Sequence, residues 1–171
     1  MVIQEIPNWN EIGVIPPMDM EHPTSAYRSP YKTDILKFVE RYATSPQRIE
    51  ILLGFIKFRK EINKTGLTDG FQWIDGSFIE DVELIEKRPP NDIDVVTFFN
   101  LAFNETQQDV VMRNPNLFVP HMGKWRKQEF RVDSYFQSLG VSKEQLVERT
   151  VYWWVFPDHG GKTQNAIFSF P

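Results

Sequence analysis

The stretch GFQWIDGSF, residues 70–78, and the stretch DIDVVTFF, residues 92–99, decide how this chain folds. In the first, Phe71, Trp73 and Asp75 alternate with Gln72 and Ile74. This two-residue period is that of a short strand, here ending at Gly76. The second is rich in β-branched and aromatic residues and reads as a buried strand. Between them the spacing predicts a short helix near 78–87, which Pro89-Pro90 must end. Side chains at i and i+2 of a strand share a face, so Asp92 and Asp94 point the same way while Ile93 and Val95 turn to the core.

Upstream, Ser45-Pro46 has the form of an N-cap followed by proline at the first helical position. Ile49, Leu52, Leu53, Ile56 and the stem of Lys60 then recur at helical spacing, predicting a long helix near 46–64 closed by Gly66. Ile35, Leu36, Phe38 and Val39 predict another near 31–43, opened by Ser29-Pro30. Residues 1–30 are proline-rich without sustained period and read as an extended arm over a domain spanning 31–171. A turn is expected at Gly13–Pro17.

Downstream, Asn104 is a candidate cap for a helix near 105–112, and 116–128 reads as loop. Phe130–Phe136 alternates as a strand. Ser142 with Gln145 has the capping-box pattern for a helix near 143–155. Asp158-His-Gly-Gly reads as a turn, and Ala166–Phe170 as a closing strand. The fold class is α+β, a mixed sheet flanked by helices. The strands at 70–75, 92–98 and 130–136 are expected to be neighbours.

Composition narrows the function. With 171 residues, 41% hydrophobic and 25% charged, the chain can bury a core without staples. The 14 phenylalanines fit a dense aromatic core better than base-stacking platforms. The absence of cysteine rules out disulfides, thiolate metal sites and cysteine nucleophiles. The opening MVIQEIPNWNEIG lacks the basic and apolar regions of a secretion signal. No apolar run reaches the length of a membrane span. The expectation is a cytoplasmic protein without a membrane partner. A net charge of −4 argues against broad nonspecific nucleic-acid binding, though a local basic patch can still hold one.

The chemistry concentrates at two places. Neighbouring carboxylates repel and are costly to bury unless a cation lies between them. Asp92 and Asp94 therefore suggest a site for a hard cation, Mg²⁺ or Mn²⁺. The alternative for such a pair is a solvated strand end. Gly76 leaves room for a phosphate to approach the backbone, and the N–H groups that follow, with the Ser77 hydroxyl, suit its oxygens. Lys124, Arg126, Lys127 and Arg131 cluster around Trp125, either as a solvated loop or as a landing site for a triphosphate or RNA backbone. Lys162, beyond Gly160-Gly161, is also within reach of a phosphate. His22, His121 and His159 have no zinc-site spacing and read as surface residues.

A Gly-Ser turn, a short helix and then Asp-x-Asp on a strand resembles the signature of DNA polymerase β-like nucleotidyltransferases. The segments GVIPP (13–17), RIEILLGFIKFR (48–59), GFQWIDGSF (70–78) and RPPNDIDVV (88–96) look more like a family of small uncharacterised bacterial proteins of that type. The resemblance implies that Asp92 and Asp94 hold metal ions with a third acid from a later strand. Asp133 is the best match and Glu129 a weaker one. It implies that Gly76 and Ser77 hold the phosphates of a nucleoside triphosphate, with a nucleotidyl group passing to an RNA, protein or small-molecule hydroxyl. Toxin–antitoxin pairing is a further context known for such proteins. The sequence departs from the pattern in two ways: fourteen residues separate Ser77 from Asp92, and Glu80, Asp81, Glu83 and Glu86 make that segment acidic. The acidic segment, with the lack of a certain third carboxylate, favours the other reading, a binding module such as an antitoxin or partner subunit.

Overall fold

The computed structural model describes residues 4–16, 21, 31–146, 148 and 166–169, the last four as backbone only. It is a mixed α+β domain. Strands β1 (Tyr31–Thr33), β2 (Gly70–Asp75), β3 (Ile93–Phe99), β4 (Val132–Ser138) and β5 (Ala166–Ser169) form one sheet in the order β1-β5-β2-β3-β4. β2 runs antiparallel to β3 and β5, while β3 and β4 are parallel, as are β1 and β5. The three strands expected to be neighbours are neighbours.

One face of the sheet is covered by α1 (Ile35–Tyr42), α2 (Pro46–Lys64) and α6 (Gly123–Phe130). Ile74, Ile93, Val95 and Val132 meet Phe38, Phe55, Phe58 and Phe130 there in the main core. The other face carries a smaller cluster of Trp73, Val96 and Phe98, with Phe71 stacked on Phe98 at 4.6 Å. Alternation along each strand divides the two, as the pleat requires.

The described part of the N-terminal arm packs onto the domain. Ile6, Val14 and Ile15 are buried, and the Trp9 Nε1–H donates to the Ile79 carbonyl at 2.7 Å. A turn forms at Asn10–Gly13, just upstream of the expected Gly13–Pro17, with the Gly13 N–H donating to the Asn10 carbonyl.

Several elements differ from the sequence reading. Residues 31–33 are strand, so α1 starts later, capped by Asp34. Leu36 is exposed. In α2 the Ser45 cap and Pro46 start are as read, but the buried face is Arg48, Ile51, Leu52, Phe55, Phe58, Arg59 and Ile62, and Ile49 and Leu53 are exposed. Two buried arginines shift the stripe that an apolar-only count selects. The segment after Gly76 divides into a 3₁₀ turn, Ser77–Ile79, and the short helix α3, Val82–Ile85. Thr106, not Asn104, caps α4 (Gln107–Arg113) through a reciprocal box with Asp109. Residues 116–128 are largely helical: α5 (Pro115–Phe118), a 3₁₀ turn at Pro120–Met122, then α6. Pro and Gly there open short helices at their first turns, where a missing N–H costs little. The Ser142–Gln145 box forms in both directions. The expected turn at 158–161, and with it Lys162 and His159, lies outside the described residues. No described helix is long and apolar enough to cross a membrane.

Candidate functional site

The strand register builds the site. Asp75 pairs with Asp94 across β2 and β3, and Asp94 pairs with Asp133 across β3 and β4. Directly paired residues point to the same face, so three carboxylates form one row. This is the face opposite the main core. Asp92, two residues before Asp94, joins them. Asp75 was missed in the sequence; its alternation with Trp73 was visible, but only register reveals that it stands beside Asp94.

Lys127, on α6, closes the row. Its Nζ lies 2.9 Å from Asp92 Oδ2 and 2.7 Å from Asp133 Oδ2. Burial alone would lower the pKa of this ammonium, but its bonds to Asp133 and Asp92 outweigh that and hold it above its ordinary value. Among the described residues, no three His, Asp or Glu side chains converge tightly enough to hold an ion as they stand. What Asp92 and Asp133 close upon is the ammonium.

Asp94 sits deepest. Burial first, then the charges of Asp92, Asp133 and Asp75, push its carboxyl up to about 7, with Lys127 pulling the other way. A carboxyl so placed gains from any added positive charge.

Two close approaches fix the geometry. Gly76 has φ +78, and a Cβ there would lie 1.9 Å from Asp94 Oδ2. Only glycine lets that carboxylate rest against the turn. The Asp75 carboxylate accepts the Gly76 N–H at 2.7 Å. The second approach is at Gly54 in α2, where a Cβ would lie 2.2 Å from the Phe130 carbonyl. The end of α6 thereby seats on α2. The chain then turns through Arg131, in the left-handed region at φ 55, directly into β4. This sharp reversal holds Lys127 over Asp133.

The acidic segment after Ser77 does not crowd the site. Arg48, fully buried, donates to both Glu83 carboxylate oxygens at 2.8 Å, to the Phe78 carbonyl at 2.6 Å and to the Glu80 carbonyl at 2.6 Å. Although partly buried, Glu83 is held below its ordinary pKa by Arg48. Asp81 caps α3, and Glu86 pairs with Arg88. The arginine thus ties α2 to the turn carrying Gly76 and Ser77. Sequence reasoning missed it, because a buried arginine carries no hydrophobic signature.

The basic cluster separates. Arg126 is buried, donating to the Val119 carbonyl at 2.9 Å and the Ser134 carbonyl at 3.3 Å. Arg131 pairs with Glu50, and Trp125 packs edge-on against Phe130 at 5.5 Å. Glu129, the weaker candidate for third acid, pairs with Lys57. Lys124 is exposed, and with Lys127 it borders a cleft between α6 and β4.

Neither a curated protein nor a solved structure matches this chain. A family model does match, over residues 7–165: the chain belongs to a family of unknown function, DUF6932.

Proposed function

We propose that this protein is a metal-dependent nucleotidyltransferase, moving a nucleotidyl group from a nucleoside triphosphate to a hydroxyl of an RNA, a protein or a small molecule, as the hydroxyl oxygen bonds the α-phosphorus, its proton passes to solvent and pyrophosphate leaves. The observation that carries this reading is the carboxylate row: Asp94 flanked in register by Asp133, with Asp92 alongside and the Gly76 turn in contact. The donor set fits Mg²⁺ or Mn²⁺, because it is all hard oxygen and already embraces one cation, Lys127. Asp92, Asp94 and Asp133 would hold the metal, which supplies charge neutralisation at the triphosphate and a more acidic acceptor hydroxyl. The Ser77 hydroxyl and the N–H groups of its turn would orient the phosphates. Lys127 and Lys124 would offset their charge. The neutralisation of Glu83 by Arg48 removes an objection raised by the acidic segment.

The test is transfer of α-labelled triphosphate to cell RNA or lysate with Mg²⁺ or Mn²⁺. Asp92→Ala should lower transfer by orders of magnitude, since positioning and charge supply most of the catalysis in such reactions. Ser77→Ala should lower it less, because its backbone N–H remains. No label on any acceptor with any nucleotide, together with no metal-dependent triphosphate binding in calorimetry, would end the enzyme reading.

One observation favours a second reading, a partner or antitoxin module: Lys127 satisfies Asp92 and Asp133 without any metal. On that reading the row is a structural ion-pair cluster, and divalent cations leave stability unchanged.

A further inference from the structure

The cleft between α6 and β4 begins at the carboxylate row and runs away from it. Asp133 and Lys127 line its near end, Phe118, Pro120 and Tyr135 its apolar part, and its volume is about 560 Å³. That is within the range of small-molecule sites. We propose that this cleft receives the base and sugar of the nucleoside triphosphate, an inference that rests on the nucleotidyltransferase reading.

Three features support this occupant. The first is reach. Tyr135 follows Asp133 by two strand residues on the same face, about 7 Å along β4. A nucleotide whose α-phosphate lies at Asp133 and Asp94 extends its base over roughly that span. Tyr135 is 45% exposed and presents an aromatic surface there. Base–aromatic stacking tolerates any base, since every base has a π-face.

The second is unused polar capacity. Among the described residues six buried side-chain atoms have no hydrogen-bond partner, and two of them, Arg126 Nε and Ser134 Oγ, belong to side chains lining this one cleft. Both residues are more than nine-tenths buried. Buried polar groups ordinarily find partners; with almost no accessible surface of their own, these two atoms would be met by a base or ribose only after a small shift of the cleft wall.

The third is charge. Lys124 and Lys127 put two positive charges at the phosphate end. A longer polyanion fits poorly. Arg126 and Arg131 are engaged with backbone carbonyls and Glu50, so among the described residues these two arginines do not extend a basic track past the cleft. A single nucleotide matches the site better than a strand of RNA.

The experiment compares the affinities of ATP, GTP, CTP, UTP, their four free nucleosides and inorganic tripolyphosphate for the intact protein in Mg²⁺ by calorimetry. At least one nucleotide should bind on the order of ten-fold more tightly than tripolyphosphate, the margin that one stacked base supplies. Tyr135→Ala should reduce that margin to less than about three-fold while leaving tripolyphosphate affinity unchanged. Circular dichroism and melting of the variant check that this exposed substitution leaves the fold intact, and Lys124→Ala, also exposed, should weaken every ligand together. If tripolyphosphate binds as tightly as every nucleotide, or the margin survives in Tyr135→Ala, the cleft is not the nucleoside site, while the nucleotidyltransferase reading stands. If tripolyphosphate does not bind but free nucleosides do, in a Tyr135-dependent way, the cleft assignment stands and the transferase reading fails. If none of these ligands binds, both are overturned.

Discussion

Replacing Lys127 with methionine tests what the carboxylate row is for. The substitution keeps the apolar stem and removes only the ammonium, which lies 2.9 Å from Asp92 and 2.7 Å from Asp133. The Lys127 side chain is 45% exposed, and the two carboxylates are 18% and 24% exposed. Solvated pairs contribute about 0.2–1 kcal/mol each. Stripping the partner from a fully buried charge costs about 3–5 kcal/mol. This half-buried site falls between, so Lys127→Met should lose roughly 2–3 kcal/mol in EDTA at pH 7.5 and low salt. The loss should shrink in high salt, which screens the remaining carboxylates from one another. Millimolar Mg²⁺ should then stabilise the variant more than the wild type, because it meets carboxylates that no ammonium occupies. The assay is urea denaturation of both proteins, with EDTA and with Mg²⁺. Equal stability in EDTA, or an equal response to Mg²⁺, would refute the idea that Lys127 and a metal compete for one set of oxygens.

Asp94→Asn should gain stability as pH rises. With its folded pKa raised from 3.8 to about 7, Asp94 favours the native state fully below about pH 4, and that advantage is lost as pH rises through 7. At about 1.4 kcal/mol per tenfold change, the rise is worth on the order of 4 kcal/mol. Without metal the variant should match wild type near pH 4 and exceed it at pH 8, read from melting temperatures across that range. A pH-independent difference would contradict the assignment. Gly76→Ala should cost about 1–3 kcal/mol, from its positive φ and the clash with Asp94, measured by urea denaturation. Arg48→Met should be the most damaging change, about 3–5 kcal/mol, since it leaves Glu83 and two carbonyls without their donor. Wild-type-like unfolding of that variant would show that the buried arginine is dispensable.

Four of the five strands and the ends of α2 were legible because they rest on local signals, such as alternation in 70–75 and the Ser45-Pro46 start, as was the Ser142–Gln145 box; β1 and the start of α1 were not. What escaped depends on partners distant in sequence. The 3₁₀ and helical segments across 116–128 bury Leu117, Arg126 and Phe130 only once α2 and β4 are in place. Arg48 and Arg59 look like surface residues until their partners arrive. Arg59 donates to Gln72, whose amide donates to Thr97 at 3.0 Å, a polar link beneath the sheet. Of the site, Asp92, Asp94, Asp133, Gly76 and Ser77 were legible as residues. The role of Lys127, and the presence of Asp75 beside Asp94, required the register.

The two buried ionic clusters argue differently about purpose. Arg48 has every charge matched: one guanidinium, one carboxylate, and carbonyls for the remaining donors. Such an arrangement needs nothing more, and its effect is to position a turn. Around Asp92, Asp94 and Asp133, Lys127 is the one ion-paired cation among the described residues. Asp94 responds by binding a proton more tightly. A purely structural cluster would be more stable with Asn or Ser at position 94, where neither burial nor neighbouring charge would penalise it. Retaining a carboxylate at the centre of a negative row is costly in the free protein and useful when additional positive charge arrives. This imbalance, more than the mere presence of acids, is the physical ground for expecting a cation-dependent reaction here.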